Sequence, residues 1–192
     1  ARFLPALPPC SLVQLTGAFE IAGSGTLSRM LMQLDRRGGI ESYPLYAPLV
    51  VDQQSTAKDV RRQPVVAEAL AKAEALDLAV VAIGAWSAGE SAVWEKVSPG
   101  IRRTCAQAGV VAEFSGNLLN AHGAVVTTPL DGRIIAAGLP QLHAARHVIG
   151  FAHGPRRAAA LRAAAASGAF TSIIVDSTLA AAILGGPKRR TG

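Results

Sequence analysis

One run, from Arg146 to Asp176, constrains the fold more tightly than any other part of the chain. Residues 148–152 are an apolar stretch of strand length. His153-Gly154-Pro155 follows, where glycine permits a tight turn and proline suits a first helical position. Residues 158–166 are dense in alanine, the best helix former, and Gly168 stops them. Residues 172–175 predict a second short strand, closed by Asp176. Strand, helix and strand in so short a span predict a βαβ unit, whose strands are parallel and whose crossover is right-handed. Arg156 and Arg157 fall on the first helical turn. The helix dipole disfavours cations there and favours an anion, so the pair is a candidate anion seat.

The remaining punctuation extends the pattern. Strands are expected over 11–16, 43–47, 78–83 and 110–113, the third of them buried on both faces. Helices are expected over 26–35 (Leu27, Met30, Leu31 and Leu34 at helical spacing), over 60–75 with Pro64 in the first turn, and from the Ser98-Pro99 start to about 108. Residues 52–56 read as a polar loop and 115–120 as a loop or short turn. Asp131-Gly132 signals a hairpin with arms 124–128 and 133–137, an antiparallel excursion from a parallel pattern. A short helix over 139–145 leads into the βαβ unit, and a last helix covers 176–184. The predicted class is α/β: a Rossmann-like, mostly parallel sheet with helices on both faces and a small antiparallel hairpin. Residues 1–10 read as a linker from a missing upstream domain, 11–185 as one domain, and 186–192 as a basic flexible tail.

Composition narrows the function. The 192 residues suffice for one α/β domain with a sizeable core. Half are hydrophobic, largely through alanine, and no apolar run approaches the ~20 residues needed to span a bilayer. Cys10 and Cys105 have no motif spacing, which points to a reducing, cytoplasmic setting. The net charge of +6 is spread over isolated arginine pairs and the tail. With no basic stripe and few aromatics, a nucleic-acid face on this stretch is disfavoured. No cofactor is implied: Gly23-Ser-Gly25 lacks the dinucleotide fingerprint, and no Walker lysine follows it. His143 and His147 have zinc-like spacing but no third ligand, so no metal site is expected.

Expected strand ends carry the unusual residues: Thr16-Gly17, Pro48, Gly84, Glu113, His153-Gly154 and Asp176. Ligands of open parallel sheets bind in the crevice outside those ends. Arg156 and Arg157 could hold a phosphate there, because guanidinium binds it bidentately. Glu113 could accept hydrogen bonds from sugar hydroxyls or form a structural ion pair. Arg133 could reach the same anion or merely solvate its strand. Asp176 reads as a helix cap, and Trp86 and Trp94 as pocket cover, interface or core.

Taken in order, Val13-Gln-Leu-Thr-Gly17, Tyr46-Ala-Pro48, Val81-Ala-Ile-Gly84, Glu113 with Asn120-Ala-His-Gly123, Phe151-Ala-His-Gly154 before Arg157, and Val175-Asp176 form a recognisable series. It resembles the sugar-binding (effector) domain of the SorC family of bacterial transcriptional regulators, from about Leu12 to Leu184. The resemblance implies a fold like ribose-phosphate isomerase and glucosamine-phosphate deaminase, without their catalysis. It implies a sugar or sugar-phosphate effector, a homo-oligomer (dimer or tetramer), and DNA contact only through an upstream helix-turn-helix. It places the effector at Thr16-Gly17-Ala18 and assigns roles to the acid at Glu113 and the basic residue at Arg157. This chain departs from the family in having Ala18 for a second glycine, Thr16 where some relatives hold lysine, His153 for a glycine, and Arg157 for lysine. A sugar-phosphate isomerase or deaminase, or an oligomerisation module with a vestigial pocket, are the competing readings.

Overall fold

Three short sheets carry the chain in the computed structural model, which describes residues 8–18 and 39–185. The expected helix over 26–35, the tail over 186–192 and most of the expected linker lie outside the described residues. In chain order the described elements are β1 (Cys10–Val13), β2 (Ile40–Tyr43), α1 (Gln54–Arg61), α2 (Pro64–Lys72), β3 (Leu78–Ala82), β4 (Gly84–Ala85), α3 (Ala92–Glu95) and α4 (Pro99–Gln107). Then follow β5 (Ala112–Phe114), β6 (Asn117–Leu119), α5 (Leu139–Ala144), β7 (His147–Ala152), α6 (Ala158–Ala166), β8 (Ser172–Val175) and α7 (Ser177–Leu184).

The βαβ unit forms as its composition dictates. β7 and β8 pair in parallel, Ile149 opposite Ser172, and β3 pairs in parallel on the other side of β7. Gly154 takes a φ of 82°, which glycine adopts without strain, and one 3-10 turn (Pro155–Arg157) opens α6. Alanine methyls of α6 (Ala160, Ala163, Ala164) pack with Val81, Ile83, Val148 and Ala152 in the main core, together with Leu142 of α5 and Leu179 of α7. Gly150 has no room for a side chain: a β-carbon would lie 2.8 Å from Ile83 and Phe170 atoms.

Strand 78–83 runs close to its expected bounds, but it is buried on one face only. Val80 is 59% exposed, and Leu78, Phe151 and Ile174 on the same side are also open. A clean apolar run concealed this alternation, because β3 carries apolar residues on both faces. Beyond Ile83 the chain leaves the parallel sheet, and Gly84 pairs antiparallel with Glu113.

Several boundaries differ from expectation for identifiable reasons. The second strand ends at Tyr43 instead of starting there; Pro44 has no N–H to continue a ladder. The single helix expected over 60–75 is two. Gln63 is extended ahead of Pro64, which starts α2, and the supposed loop at Gln54-Ser-Thr56 is the first turn of α1. The loop or short turn expected over 115–120 is a tight turn at Ser115 and Gly116, both at positive φ (46° and 74°), and the rest of the stretch pairs as β6. Asp131-Gly132 does turn the chain, but its arms diverge. Val125 bridges to Leu119, while Ile134 and Ala136 bridge to Val50 and Thr16.

Candidate functional site

The site is best built outward from the 3-10 turn that opens α6. Arg157 is half-way into the protein, its side chain 13% exposed. One terminal nitrogen donates to the His153 carbonyl at 2.7 Å, and the other lies 2.7 Å from Oε2 of Glu90. Arg156 stays in solvent, with Nε 3.9 Å from Oε1 of the same glutamate. The cation on this unfavourable first turn is therefore matched by a carboxylate from the loop after β4, itself only 14% exposed.

That loop is held at several points. The Glu90 amide donates to the Ser87 carbonyl, and the Gly89 amide to the Glu95 carboxylate at 2.7 Å. The Glu90 carbonyl lies so close to Gly84 that a β-carbon there would meet it at 2.5 Å. Ser91 caps α3 by accepting from the Trp94 amide, and its hydroxyl donates to Oε2 of Glu113 at 3.0 Å.

Glu113 is buried within β5. Oε1 accepts from the Gly116 amide at 3.0 Å, Oε2 accepts from Ser91, and the amides of Ala92 and Val93 also point to the carboxylate. Burial pushes its pKa above the ordinary carboxylate value, against the pull of these four donors. A carboxylate has about four acceptor positions. Two are filled by close hydrogen bonds and two more amides face the group, so the side chain sets the geometry of the 113–116 turn and of Ser91. Of the two alternatives posed for it, the ion pair is not formed: no cation among the described residues pairs with Glu113, whose partners are amides and a hydroxyl.

Glu113 and Arg157 thus meet through adjacent residues, Ser91 and Glu90. The arc continues through the Ser115 hydroxyl, which donates to the Ala137 carbonyl at 2.9 Å, to Ala136, which bridges Thr16. The Gly17 amide donates to the Ile135 carbonyl and the Ala18 amide to that of Ala47. Gly17 is required by close approach, since a β-carbon would lie 2.5 Å from the Pro48 carbonyl oxygen. Gly84, Gly154 and His153 sit on the arc as described. Arg133 does not join it. Its guanidinium donates to the carbonyls of Val51 (2.9 Å) and Pro129 (3.2 Å) and braces the 129–133 turn.

Asp176 does more than cap α7. Oδ1 accepts from the Leu179 amide at 2.7 Å, and Oδ2 accepts from Gly154 at 2.9 Å, so it ties the end of β8 to the turn after β7. These amide bonds hold its carboxyl below the ordinary 3.8. The stabilisation is therefore complete above that value and is lost as pH falls through the depressed one. The stability difference between the parent and Asp176→Asn is expected to be constant near neutrality and to shrink as pH falls below the ordinary 3.8 and through the depressed value. Urea melts across that range check this; a gap that widens in acid contradicts it.

Glu90 and Ser91 were missed by sequence reasoning, which gave neither residue a role. Ser91 had a readable signal, a serine ahead of a short apolar run. Glu90 had none, because its partner is 67 residues away. A cleft of about 210 Å³ lies between Arg61, Leu70, Glu74 and Gln141; Ala136 and Ala137 of the arc line it, and none of the expected site residues does.

Known proteins share this arrangement of elements. The sequence matches, over residues 4–185, the family described as "Putative sugar-binding domain". The chain belongs to that family. The transcriptional regulator LsrR of Klebsiella pneumoniae is 29% identical over 181 residues, covering 90% of this chain and 53% of the regulator. LsrR of Escherichia coli K12 is 29% identical over 177 residues. The chain spans about half the length of the curated relatives it matches. Among solved structures, a DeoR family transcriptional regulator from Listeria monocytogenes superposes with a TM-score of 0.81 at 21% identity, covering 95% of this chain and 73% of that one. Full-length sorbitol operon regulator SorC from Klebsiella pneumoniae gives 0.79 at 15% identity, covering 91% and 57%. The sugar-binding domain family therefore accounts for the mixed α/β fold, and the resemblance to SorC-type regulators drawn from the motifs stands.

Proposed function

We propose that this domain is the effector-sensing part of a bacterial transcriptional regulator, and that it takes a sugar on the arc running from Thr16-Gly17-Ala18 through Gly84 and the 113–116 turn to His153-Gly154 and Arg157. The observation that carries the reading is the convergence of three segments, Gly84, the 113–116 turn and the 153–157 turn, on one dipeptide, Glu90-Ser91, which joins the acid of β5 to the arginine ahead of α6. The family match and the names of the relatives support the ligand class and the regulatory role.

Glu113 is hydrogen-bonded by amides and a hydroxyl, and Glu90 is ion-paired with Arg157, so neither acid stands with an unpartnered carboxylate open to a substrate proton, which favours binding over catalysis. In this reading DNA contact comes through another part of a longer cytoplasmic protein, and the domain works in a homo-oligomer. No helix among the described residues is long and apolar enough to cross a membrane. Sugar binding acts by favouring one of two arrangements, in proportion to its difference in affinity for them.

A thermal-shift screen of free sugars and their phosphate esters tests the reading. At least one compound is expected to raise Tm saturably, by about 2.7 kcal/mol of stabilisation at a hundredfold excess over Kd. Product analysis of the same mixtures is expected to show the sugar unchanged. No shift with any compound favours the vestigial-pocket reading, and turnover favours the enzyme.

A further inference from the structure

We infer that Glu90 sets the ligand class of this site: it occupies the anion position at Arg157, so the site selects a neutral sugar over its phosphate ester. The inference rests on the sugar-binding reading above and decides between the two ligand classes it leaves open.

A guanidinium that receives a phosphate must present free N–H groups. Here one terminal nitrogen of Arg157 donates to the His153 carbonyl and the other is already ion-paired with the Glu90 carboxylate, both at 2.7 Å. Oε2 of Glu90 is shut off from solvent, so water weakly screens its charge. A phosphate brought to Arg157 meets that negative charge first. It must expel the carboxylate or share the cation with it, and both are unfavourable at close range.

Expulsion is opposed by the backbone. Glu90 is held on one side by its contact with Gly84 and on the other by Ser91, which is fixed to the Trp94 amide and to Glu113. The carboxylate cannot swing away with its loop unless these contacts open as well. The remaining positive charge, Arg156, is solvated and is itself drawn toward Glu90. A neutral polyol meets no such repulsion. It can use the polar edges of the pair, the Arg156 side chain and the backbone of the surrounding turns.

The charge-neutral isostere Glu90→Gln tests this. It keeps an amide oxygen for Arg157 while removing the competing charge. In the parent, the free sugar identified by the screen is expected to bind about tenfold more tightly than its phosphate ester. In Glu90→Gln the preference is expected to shrink or reverse, and inorganic phosphate is expected to raise Tm saturably where the parent responds no more to phosphate than to chloride at equal ionic strength. A parent that binds the ester more tightly than the free sugar overturns the inference without a variant being needed. So does a Glu90→Gln protein that folds, by circular dichroism, yet responds to phosphate as the parent does. If no sugar binds the parent but Glu90→Gln gains the phosphate response, the reading of the arc as a sugar site falls while the role of Glu90 stands.

Discussion

Replacing Glu113 with alanine is expected to lower the stability of the domain by about 3 to 5 kcal/mol, because it strands buried donors and leaves a void. The amides of Gly116, Ala92 and Val93 and the hydroxyl of Ser91 all lose their acceptor at once. Against a total of roughly 5 to 15 kcal/mol for a native domain, that is a large share. Glu113→Gln should recover only part of the loss, since its amide nitrogen faces groups that also donate. The pH dependence carries a sign. Burial raises the folded-state pKa of Glu113 above its ordinary 4.5. Its contribution is therefore most favourable below that value and declines as pH rises through the raised one. Guanidinium melts of the parent and both variants check these points. A loss under 1 kcal/mol for the alanine variant, on the scale of an exposed substitution, removes Glu113 from the framework of the site.

Gly123→Ala is expected to cost a similar amount, about 3 kcal/mol or more, by a different route. Gly123 has a φ of 80°, and a β-carbon there would lie 2.5 Å from the Ser167 nitrogen and 2.6 Å from the Ala166 carbonyl carbon. The obstacle is helix backbone, which no rotamer change can clear. The turn is otherwise well specified: the Asn120 side chain accepts from the amides of His122 and Ala124, and the Gly123 amide donates to the Asn120 carbonyl. Substitution should therefore push the loop off α6 rather than unravel it. Thermal melts report the loss. An unchanged Tm would mean that the loop has another seat on the helix.

How far the sequence foretold these features depends on how local their causes are. The βαβ unit was legible because alanine density, Gly154 and Gly168 act within a few residues of one another. The division at Pro64 was half legible. The proline was noticed, but the extended Gln63 it imposes was not carried back to end one helix and begin another. The hairpin at Ser115-Gly116 lacked the usual Asn-Gly, while Asp131-Gly132 had the signal but not paired arms; a turn dictates reversal, and the flanking strands choose their partners. At the site, Glu113 and Arg157 were named and do belong to one connected arc. What joins them was hidden, since an ion pair between distant residues leaves no spacing to read. Arg133, beside its turn, served the turn.

The helix behind Arg157 has seven alanines among its nine residues, and its buried contacts are mostly methyl groups. A methyl has no alternative rotamer with which to absorb a small displacement. Flexible side chains would dissipate such a push by rearranging; a rod of alanine hands it on along its axis. Its far end abuts the loop at Gly123, so the guanidinium and that loop sit at opposite ends of one stiff element.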